Sequence, residues 1–180
     1  MLQGDHIRLR DFVQADTDAF VALADDELMF TYMKFRLTRE SARETHLPWL
    51  LREPQLDPRP TYNLVVEGAK GFAGWAAIGG MSDGDEGEFG WYLRSDQWGR
   101  GYATEATALL LGFGFRALGR SRMSATADPE NRGSVRVLEK SGLDNKGPAA
   151  PAQTWRGTRS RVRFDIGLDK WRSVAIRSRD

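Results

Sequence analysis

The sequence has no cysteine and only two histidines, His6 and His46, which lie far apart along its 180 residues. Without cysteine the chain can form no disulfide, no thiolate metal site and no cysteine nucleophile. We therefore predict no metal cofactor. The lack of cysteine also leaves a cytoplasmic location open, because disulfides are typical of oxidising compartments.

The sequence also lacks an excess of either charge, since its 26 basic and 25 acidic residues leave a net charge of +1. Such a balance creates no overall field that would attract nucleic acid or an anionic membrane. No window approaches the ~18 apolar residues of a membrane-spanning helix, and residues 1–6 do not resemble a signal peptide. We expect a cytoplasmic protein with neither nucleic-acid nor membrane partners.

What is present is the composition of an ordinary globular protein, with 41% hydrophobic, 28% charged and 11% aromatic residues. A chain of this length can bury roughly 70% of the surface that it exposes when unfolded, so it needs no covalent cross-links for stability. The sequence shows no repeat and no long internal linker. We predict one domain over residues 1–170 and a polar, frayed tail over residues 171–180.

The first third of the chain predicts one strand and two helical regions. Residues 7–12 alternate apolar and polar side chains, as a strand does, and residues 16–24 place apolar side chains on one helical face. Residues 38–52 predict a second helical region, with Thr38 as its N-cap and a kink or break caused by Pro48.

The middle of the chain predicts an antiparallel meander. Strand-like runs occupy residues 62–67, 72–78 and 88–93. The first two are separated by a glycine-containing hairpin turn. Residues 81–87, rich in glycine and aspartate, predict the turn before the third strand.

Beyond the meander the apolar period changes to that of a helix, and this long helix has one predicted apolar stripe. Its members are Ala106, Leu109, Leu110, Phe113 and Ala117. Residues 123–127 predict a short strand, and residues 131–140 a helix that begins at an asparagine cap and ends before a glycine. Residues 143–153, rich in Pro, Ala and Gly, predict a loop, and residues 161–166 a last strand.

The most informative segment is 93–105, where a strand passes through a glycine turn into the long helix. Backbone N–H groups at a helix start point in one direction, and glycines let an anion approach them closely. The expected ligand is a pyrophosphate. A tight turn without a ligand is the other interpretation.

Two known nucleotide-binding patterns do not explain this segment. The phosphate-loop pattern G-x-x-x-x-G-K-[ST] is absent. The dinucleotide pattern G-x-G-x-x-G is half matched, because Gly99 and Gly101 are followed by Thr104 instead of a third glycine. The antiparallel strands before the turn also differ from the parallel sheet that a dinucleotide fold requires.

Two motifs resemble the GNAT superfamily of N-acetyltransferases, specifically its RimJ/RimL-like branch: residues 98–106, WGRGYATEA, and residues 128–142, DPENRGSVRVLEKSG. The resemblance implies an α/β (α+β) fold whose mixed, mostly antiparallel sheet splays open and is flanked by helices. It also implies transfer of acetyl from acetyl-CoA to a primary amine, of a protein N-terminus or a small molecule, by direct attack in a ternary complex. It allows for a homodimer.

The resemblance places the CoA pyrophosphate on the backbone amides of residues 99–104 and the pantetheine arm along residues 91–93. At the first motif position Trp98 replaces the usual Arg or Gln, which removes a side-chain contact but leaves the backbone donors in place. The cofactor-binding residues that it implies are Trp91, Tyr92, Leu93, Trp98, Gly99, Arg100, Gly101, Tyr102, Ala103, Thr104 and Asn131.

Acetyl transfer requires a neutral amine, whereas lysine and α-amino groups have pKa values near 10.4 and 7.7–8. A proton acceptor must therefore lie near, directly or through water. The resemblance implies Glu88 as this base, with Glu86 or water as alternatives, and a solvated strand edge would also explain Glu88. It implies Ser134 as the acid that protonates the CoA thiolate. None of the four tyrosines lies beyond Tyr102, which supports Ser134 or solvent in that role.

Several residues have open interpretations at this point. Asn131 is a helix cap, a CoA contact or both. His46 flanks the acceptor site in the family fold but is more simply structural. The arginine-rich run 155–163 is a solvated strand face, or it recognises an acidic acceptor or the CoA 3′-phosphate. The alternative functions are a non-catalytic acyl-CoA-binding module and, with weaker support, a nicotinamide-binding oxidoreductase.

Overall fold

The computed structural model describes residues 1–79 and 85–177. Its strands are β1 (Leu2–Gln3), β2 (Arg8–Arg10), β3 (Tyr62–Gly68), β4 (Gly71–Gly79), β5 (Glu86–Leu93), β6 (Arg122–Ala127), β7 (Asp144–Thr154) and β8 (Gly157–Gly167). Its helices are α1 (Thr17–Ala22), α2 (Arg39–Ser41), α3 (Leu47–Arg52), α4 (Tyr102–Arg116), α5 (Arg132–Lys140) and α6 (Leu168–Arg177). Within the described ranges, no helix is both long and apolar enough to cross a bilayer.

The strands form one eight-stranded sheet in the order β1-β2-β3-β4-β5-β6-β8-β7. Neighbours are antiparallel except β5 and β6, which run parallel and pair only from Glu86 with Arg122 to Glu88 with Ser124. Beyond Glu88 the two strands separate. The predicted mixed, mostly antiparallel and splayed sheet is confirmed.

Each face of the sheet carries its own apolar core, because side chains alternate along a strand. On β3, Leu64 and Val66 belong to the core under α4 and α5, whereas Val65 belongs to the core under α1 and α3. Leu110 of α4 is fully buried on the first face, and Phe20 of α1 is 2% exposed on the second. The helices therefore pack on both faces of the sheet, and the gap where β5 and β6 separate forms a cleft.

The helical region after residue 38 follows the prediction closely. Thr38 accepts a hydrogen bond from the Ser41 backbone N–H at 3.0 Å, and the Ser41 hydroxyl closes the capping box. Regular α-helix then gives way to a π-helix over Ala42–His46 before α3 begins, with Pro48 in the first turn of α3. The helical backbone continues through Pro48, so the predicted kink or break takes the form of this change of helix type just before the proline, which has no N–H for the preceding turn.

The segment predicted as a loop, 143–153, is a strand, so that prediction is wrong. β7 pairs antiparallel with β8 along the outer edge of the sheet, with register shifts between Asn145 and Pro148 and between Ala149 and Ala152. A proline cannot donate to a neighbouring strand, but an edge strand has one side without a neighbour. The prolines that predicted a loop therefore lie in an edge strand.

The predicted frayed tail is also wrong over residues 171–177, which lie in α6. Trp171 anchors this helix, with its ring 5.0 Å from that of Phe115 and the Arg116 guanidinium 5.2 Å from its centroid. Residues 178–180 lie outside the described residues. Part of the predicted turn 81–87 does so too, because the description resumes at residue 85 and β5 begins at Glu86.

The predicted stripe of α4 is correct for Ala106 and Leu110, which are fully buried, and wrong for Ala117, which is exposed. Leu111 and Phe115 are buried instead. The buried face of α4 is therefore broader than the predicted stripe, because the wide sheet covers more of the helix.

We expect Gly114→Ala to destabilise the protein by about 1–3 kcal/mol, although alanine favours helices. A Cβ at Gly114 would lie 2.5 Å from Met123 Sδ and 3.1 Å from Ile78 Cδ1, both in the core. Gly112→Ala is the matched control, because its Cβ would meet only the flexible end of Arg116. We expect the control to be neutral or stabilising by up to ~1 kcal/mol. Urea unfolding measures both, and equal stabilities for the two variants would contradict the close approach of α4 to the sheet.

An ion cluster on β2 and β3 makes the free energy of unfolding depend on pH. Hydrogen bonds and charge from Arg8 and Arg10 outweigh burial and lower the pKa of Glu67 from 4.5 to about 2. Because the folded pKa is depressed, the cluster stabilises the fold fully above about pH 4.5 and loses this contribution as the pH falls to about 2. We expect Glu67→Gln to cost about 2 kcal/mol at pH 7 and nothing near pH 2, whereas exposed Glu44→Gln costs nothing at either pH. A loss for Glu67→Gln that is independent of pH would contradict this account.

Candidate active site

The parting of β5 and β6 opens into a cavity of about 1120 Å³. Its walls include residues 88–93 of β5, residues 97–104 that lead into α4, residues 125–128 that end β6, and the start of α5. A volume of this order can hold a cofactor-sized ligand with a small substrate beside it. The cleft therefore brings together the two motifs that the sequence singled out.

The turn into α4 is a backbone cradle for an anion. Gly99 and Gly101 have φ angles of +75° and +81°, which side-chain-bearing residues rarely adopt, and Gly101 caps the 15-residue helix. A Cβ at either glycine would meet no atom within 4 Å, so open space lies over the turn. The first N–H groups of a helix have no partners within the helix and carry its positive dipole end. This geometry fits the pyrophosphate that the sequence predicted.

The indole of Trp98 forms a hydrogen bond within the protein. Its Nε1 donates a hydrogen bond to the Leu93 carbonyl at 3.0 Å, and the side chain is 50% exposed. The carbonyl at the end of β5 is thus already satisfied, and Trp98 fixes the turn onto the strand. Arg100 beside it is exposed and borders the cavity.

One edge of β5 offers free backbone groups to the cleft. Arg94 N donates to Ala73 O at 2.9 Å, and hydrogen-bonded pairs alternate along an antiparallel ladder. The N–H and C=O of Tyr92 therefore point to β4, whereas those of Trp91 and Leu93 point to the cleft. Of the three predicted strand contacts, Trp91 and the Leu93 N–H have backbone groups in position, and Tyr92 borders the cavity with its side chain.

The start of α5 lies across the cleft from β5. Asn131 is the helix cap, with its Oδ1 accepting a hydrogen bond from Ser134 N at 3.1 Å, so the predicted cap is confirmed. Among the residues that the structure describes, none forms a hydrogen bond with the Ser134 hydroxyl, and Ser134 lines the cavity. On the α4 side Tyr102 is 8% exposed and packs in the core, while Ala103 and Thr104 lie half-buried in the first turn.

The two candidate bases on β5 have different surroundings. Glu88 is exposed at the point where the strands part and lines the cavity. Glu86 instead forms ion pairs with Arg163 at 2.9 Å and Arg122 at 3.5 Å at the closed end of the split. The arrangement therefore favours Glu88 over Glu86 as the group that meets a substrate.

The side chain of Tyr92 is a feature that sequence reasoning missed. It lies two residues from Gly90 and four from Glu88, on the same strand face, and its ring stacks on Trp75 at 4.6 Å. Burial raises the pKa of the Tyr92 hydroxyl, the charge of Glu88 raises it further and that of Arg161 opposes them. The hydroxyl thus stays protonated in the cleft. The strand parity of residues 88, 90 and 92 was the signal in the sequence.

The arginine-rich run is a solvated strand face only in part, since Arg156 is exposed whereas the other three arginines have partners or are buried. Arg159 pairs with Asp128 through its Nε and with Glu130 at 2.6 Å, and Arg163 pairs with Glu86. Arg161 is 8% exposed and lines the cavity.

The two histidines have different partners. His46 is half-buried, with Nδ1 2.9 Å from Ser41 O, and stacks on Phe35 at 5.9 Å. His6 is exposed, with its Nδ1 3.3 Å from Glu105 Oε2.

Comparison with known proteins agrees with this geometry. The family model described as acetyltransferase (GNAT) domain matches residues 6–144. The uncharacterized N-acetyltransferase p20 of Bacillus licheniformis is 24% identical over 149 residues, or 81% of this chain and 83% of that protein.

Two solved structures share the fold. The acetyltransferase (GNAT family) from Bacillus anthracis aligns with a TM-score of 0.77 at 21% identity, over 93% of this chain and 98% of that one. Mycobacterium smegmatis RimJ in complex with CoA-disulfide aligns with a TM-score of 0.80 at 24% identity, over 91% and 83%. The chain belongs to the GNAT family of acetyltransferases and is an acyltransferase.

Proposed function

We propose that this enzyme transfers an acetyl group from acetyl-CoA to a primary amine by direct attack in a ternary complex. The observation that carries the proposal is the open glycine turn at Gly99 and Gly101, next to the free backbone edge of β5. The complex of the M. smegmatis protein with CoA-disulfide supports the same class of ligand for this cleft.

The chain's backbone would hold the CoA end of the complex. N–H groups over residues 99–104 bind the pyrophosphate, and the cleft-facing backbone groups of Trp91 and the N–H of Leu93 pair with the amides of the pantetheine arm. When bound, acetyl-CoA supplies the acetyl group as an activated thioester. A cleft-facing strand N–H can stabilise the negative charge that develops on the thioester oxygen.

Glu88 would take the proton from the incoming ammonium, directly or through a water molecule. The neutral amine nitrogen then bonds to the carbonyl carbon, the C–S bond breaks, the nitrogen loses its second proton and the thiolate gains one. Ser134 supplies the proton of the thiolate and is reprotonated by the proton that the nitrogen loses or by solvent. Its hydroxyl is suited to this role because it lines the cavity and no described residue engages it.

A thiol-detection assay with a panel of primary amines tests the proposal. Because the chain has no cysteine, a thiol reagent reports CoA release without a protein background. We expect amine-dependent thiol release and an acetylated product detected by mass spectrometry. Binding of acetyl-CoA without release for any amine would instead indicate a non-catalytic acyl-CoA-binding module.

We also propose a cytoplasmic enzyme without nucleic-acid or membrane partners, on the basis of the missing cysteine and the net charge of +1. A homodimer is the assembly that the family resemblance suggests. Gel filtration measures it directly, and elution at the 20.2 kDa of one chain would contradict it.

A further inference from the structure

Arg161 is a buried guanidinium with an unused donor. It lies in β8 opposite Ala149, is 8% exposed and borders the cleft. Its Nη2 donates to the Tyr32 carbonyl at 3.0 Å, but its buried Nε has no acceptor among the described residues. A buried polar donor without a partner costs free energy, so such a group suggests that a ligand supplies the acceptor.

The charge of Arg161 also lacks a counter-ion. Within the described part of the chain, Arg161 forms no ion pair, whereas its strand neighbours Arg159 and Arg163 both do. The carboxylate of Asp128 lies near enough to feel the charge of Arg161 but forms its hydrogen bonds elsewhere, because its Oδ2 accepts from Arg159 and its Oδ1 accepts from Glu130 N at 2.9 Å. Arg161 therefore presents a positive charge to the cleft that no side chain neutralises by direct contact.

A negative charge faces the same space. Glu88 also lines the cavity, and the charges of Glu88 and Arg161 act in opposite directions on the hydroxyl of Tyr92. A ligand with an ammonium group and a carboxylate matches this pair: Glu88 would face the ammonium, and the arginine can bind the carboxylate with two parallel hydrogen bonds. An α-amino acid carries both groups on one carbon.

A second cavity of about 370 Å³ adjoins the cleft on the side of α1 and α3. It shares Phe35, Ala77 and Tyr92 with the cleft, and its remaining walls are largely apolar and aromatic, with Trp49 and Trp75 among them. Such a lining favours an apolar group and would leave a charged one unpaired.

We propose that the acceptor is a free α-amino acid with an apolar or aromatic side chain, whose carboxylate binds Arg161 and whose side chain enters the second cavity. The acetyl step itself rests on the proposed function. A protein N-terminus has an amide carbonyl in place of this carboxylate, and that carbonyl would leave the buried charge of Arg161 without a counter-ion.

Binding to the wild-type protein tests the proposal without any variant. L-phenylalanine, L-phenylalaninamide and 2-phenylethylamine are titrated in the presence of CoA, which cannot transfer acetyl, and glycine is titrated beside them. We expect L-phenylalanine to bind at least tenfold more tightly than each of the other three ligands. Equal affinities of the amino acid and its amide, or no binding of any of the four, would overturn it.

Variants of Arg161 test the residue itself. We expect Arg161→Gln to raise KM for L-phenylalanine at least tenfold, with KM for the amide and for acetyl-CoA unchanged within twofold. Arg161→Lys retains the charge and should keep part of the preference for the carboxylate, so it guards against a loss of folding caused by the missing contact with Tyr32. Arg163→Gln, on the same strand face, is the control and should bind like the wild type. A full preference for the amino acid in Arg161→Gln would overturn the assignment.

The two proposals fail in different ways. Acetylation of amines with no preference for the carboxylate overturns the amino-acid acceptor and leaves the acetyltransferase intact. If acetyl-CoA does not bind, the acetyl step fails, and carboxylate-dependent binding of L-phenylalanine to the protein without CoA still decides the role of Arg161.

Discussion

Gly101→Val is expected to weaken acetyl-CoA binding at least tenfold, which corresponds to about 1.4 kcal/mol. Gly101 has a φ of +81°, where a β-branched residue is strained, and the space that its Cβ would fill lies over the turn. The valine would therefore both distort the N–H groups at the start of α4 and obstruct the approach of the pyrophosphate.

The control for this variant is Gly119→Val, near the other end of α4. Gly119 has a φ of +66°, and nothing lies within 4 Å of its Cβ position, so the backbone strain is similar but distant from the cleft. Isothermal titration should show normal acetyl-CoA affinity for the control. An unchanged dissociation constant for folded Gly101→Val would remove the glycine turn from the binding site.

Glu88→Gln is expected to lower kcat about 100-fold while leaving acetyl-CoA affinity within twofold, because a general base acts in the transition state and not in cofactor binding. The glutamine keeps the size and polarity of the side chain but cannot accept the proton at neutral pH. Steady-state kinetics combined with titration of acetyl-CoA separates the two effects.

Glu86→Gln is the matched control for the base, since Glu86 lies on the same strand face but is held by Arg122 and Arg163 away from the cavity. We expect its kcat to stay within threefold of the wild type. If Glu88→Gln turned over like the wild type from about pH 6 to pH 9, Glu88 could not be the base. A large loss in Glu86→Gln alone would transfer the role to that residue.

Elements with strong local signals could be predicted from the sequence. The β3–β4 hairpin, the long helix after Gly101 and the cap at Asn131 follow from turn, period and capping preferences. β7 could not be predicted, because only its place at the edge of the sheet makes Pro148 acceptable. α6 was missed because the packing of Trp171 on Phe115, a distant contact, stabilises it.

The same division applies to the site. The glycine turn and the start of α5 are contiguous motifs, so their residues could be named from the sequence. The roles of Arg161 and of the Tyr92 side chain depend on which strands lie beside each other. β8 is inserted between β6 and β7, and this non-local arrangement buries one arginine of a polar run and brings it to the cleft that Glu88 lines.

The central claim is that the turn over residues 98–104 binds the pyrophosphate of acetyl-CoA. Isothermal titration of the purified protein with acetyl-CoA, and with NADH and ATP as controls, tests it most directly. We predict micromolar binding of acetyl-CoA and no measurable binding of NADH or ATP. Failure to bind acetyl-CoA, or a preference for NADH, would contradict the claim.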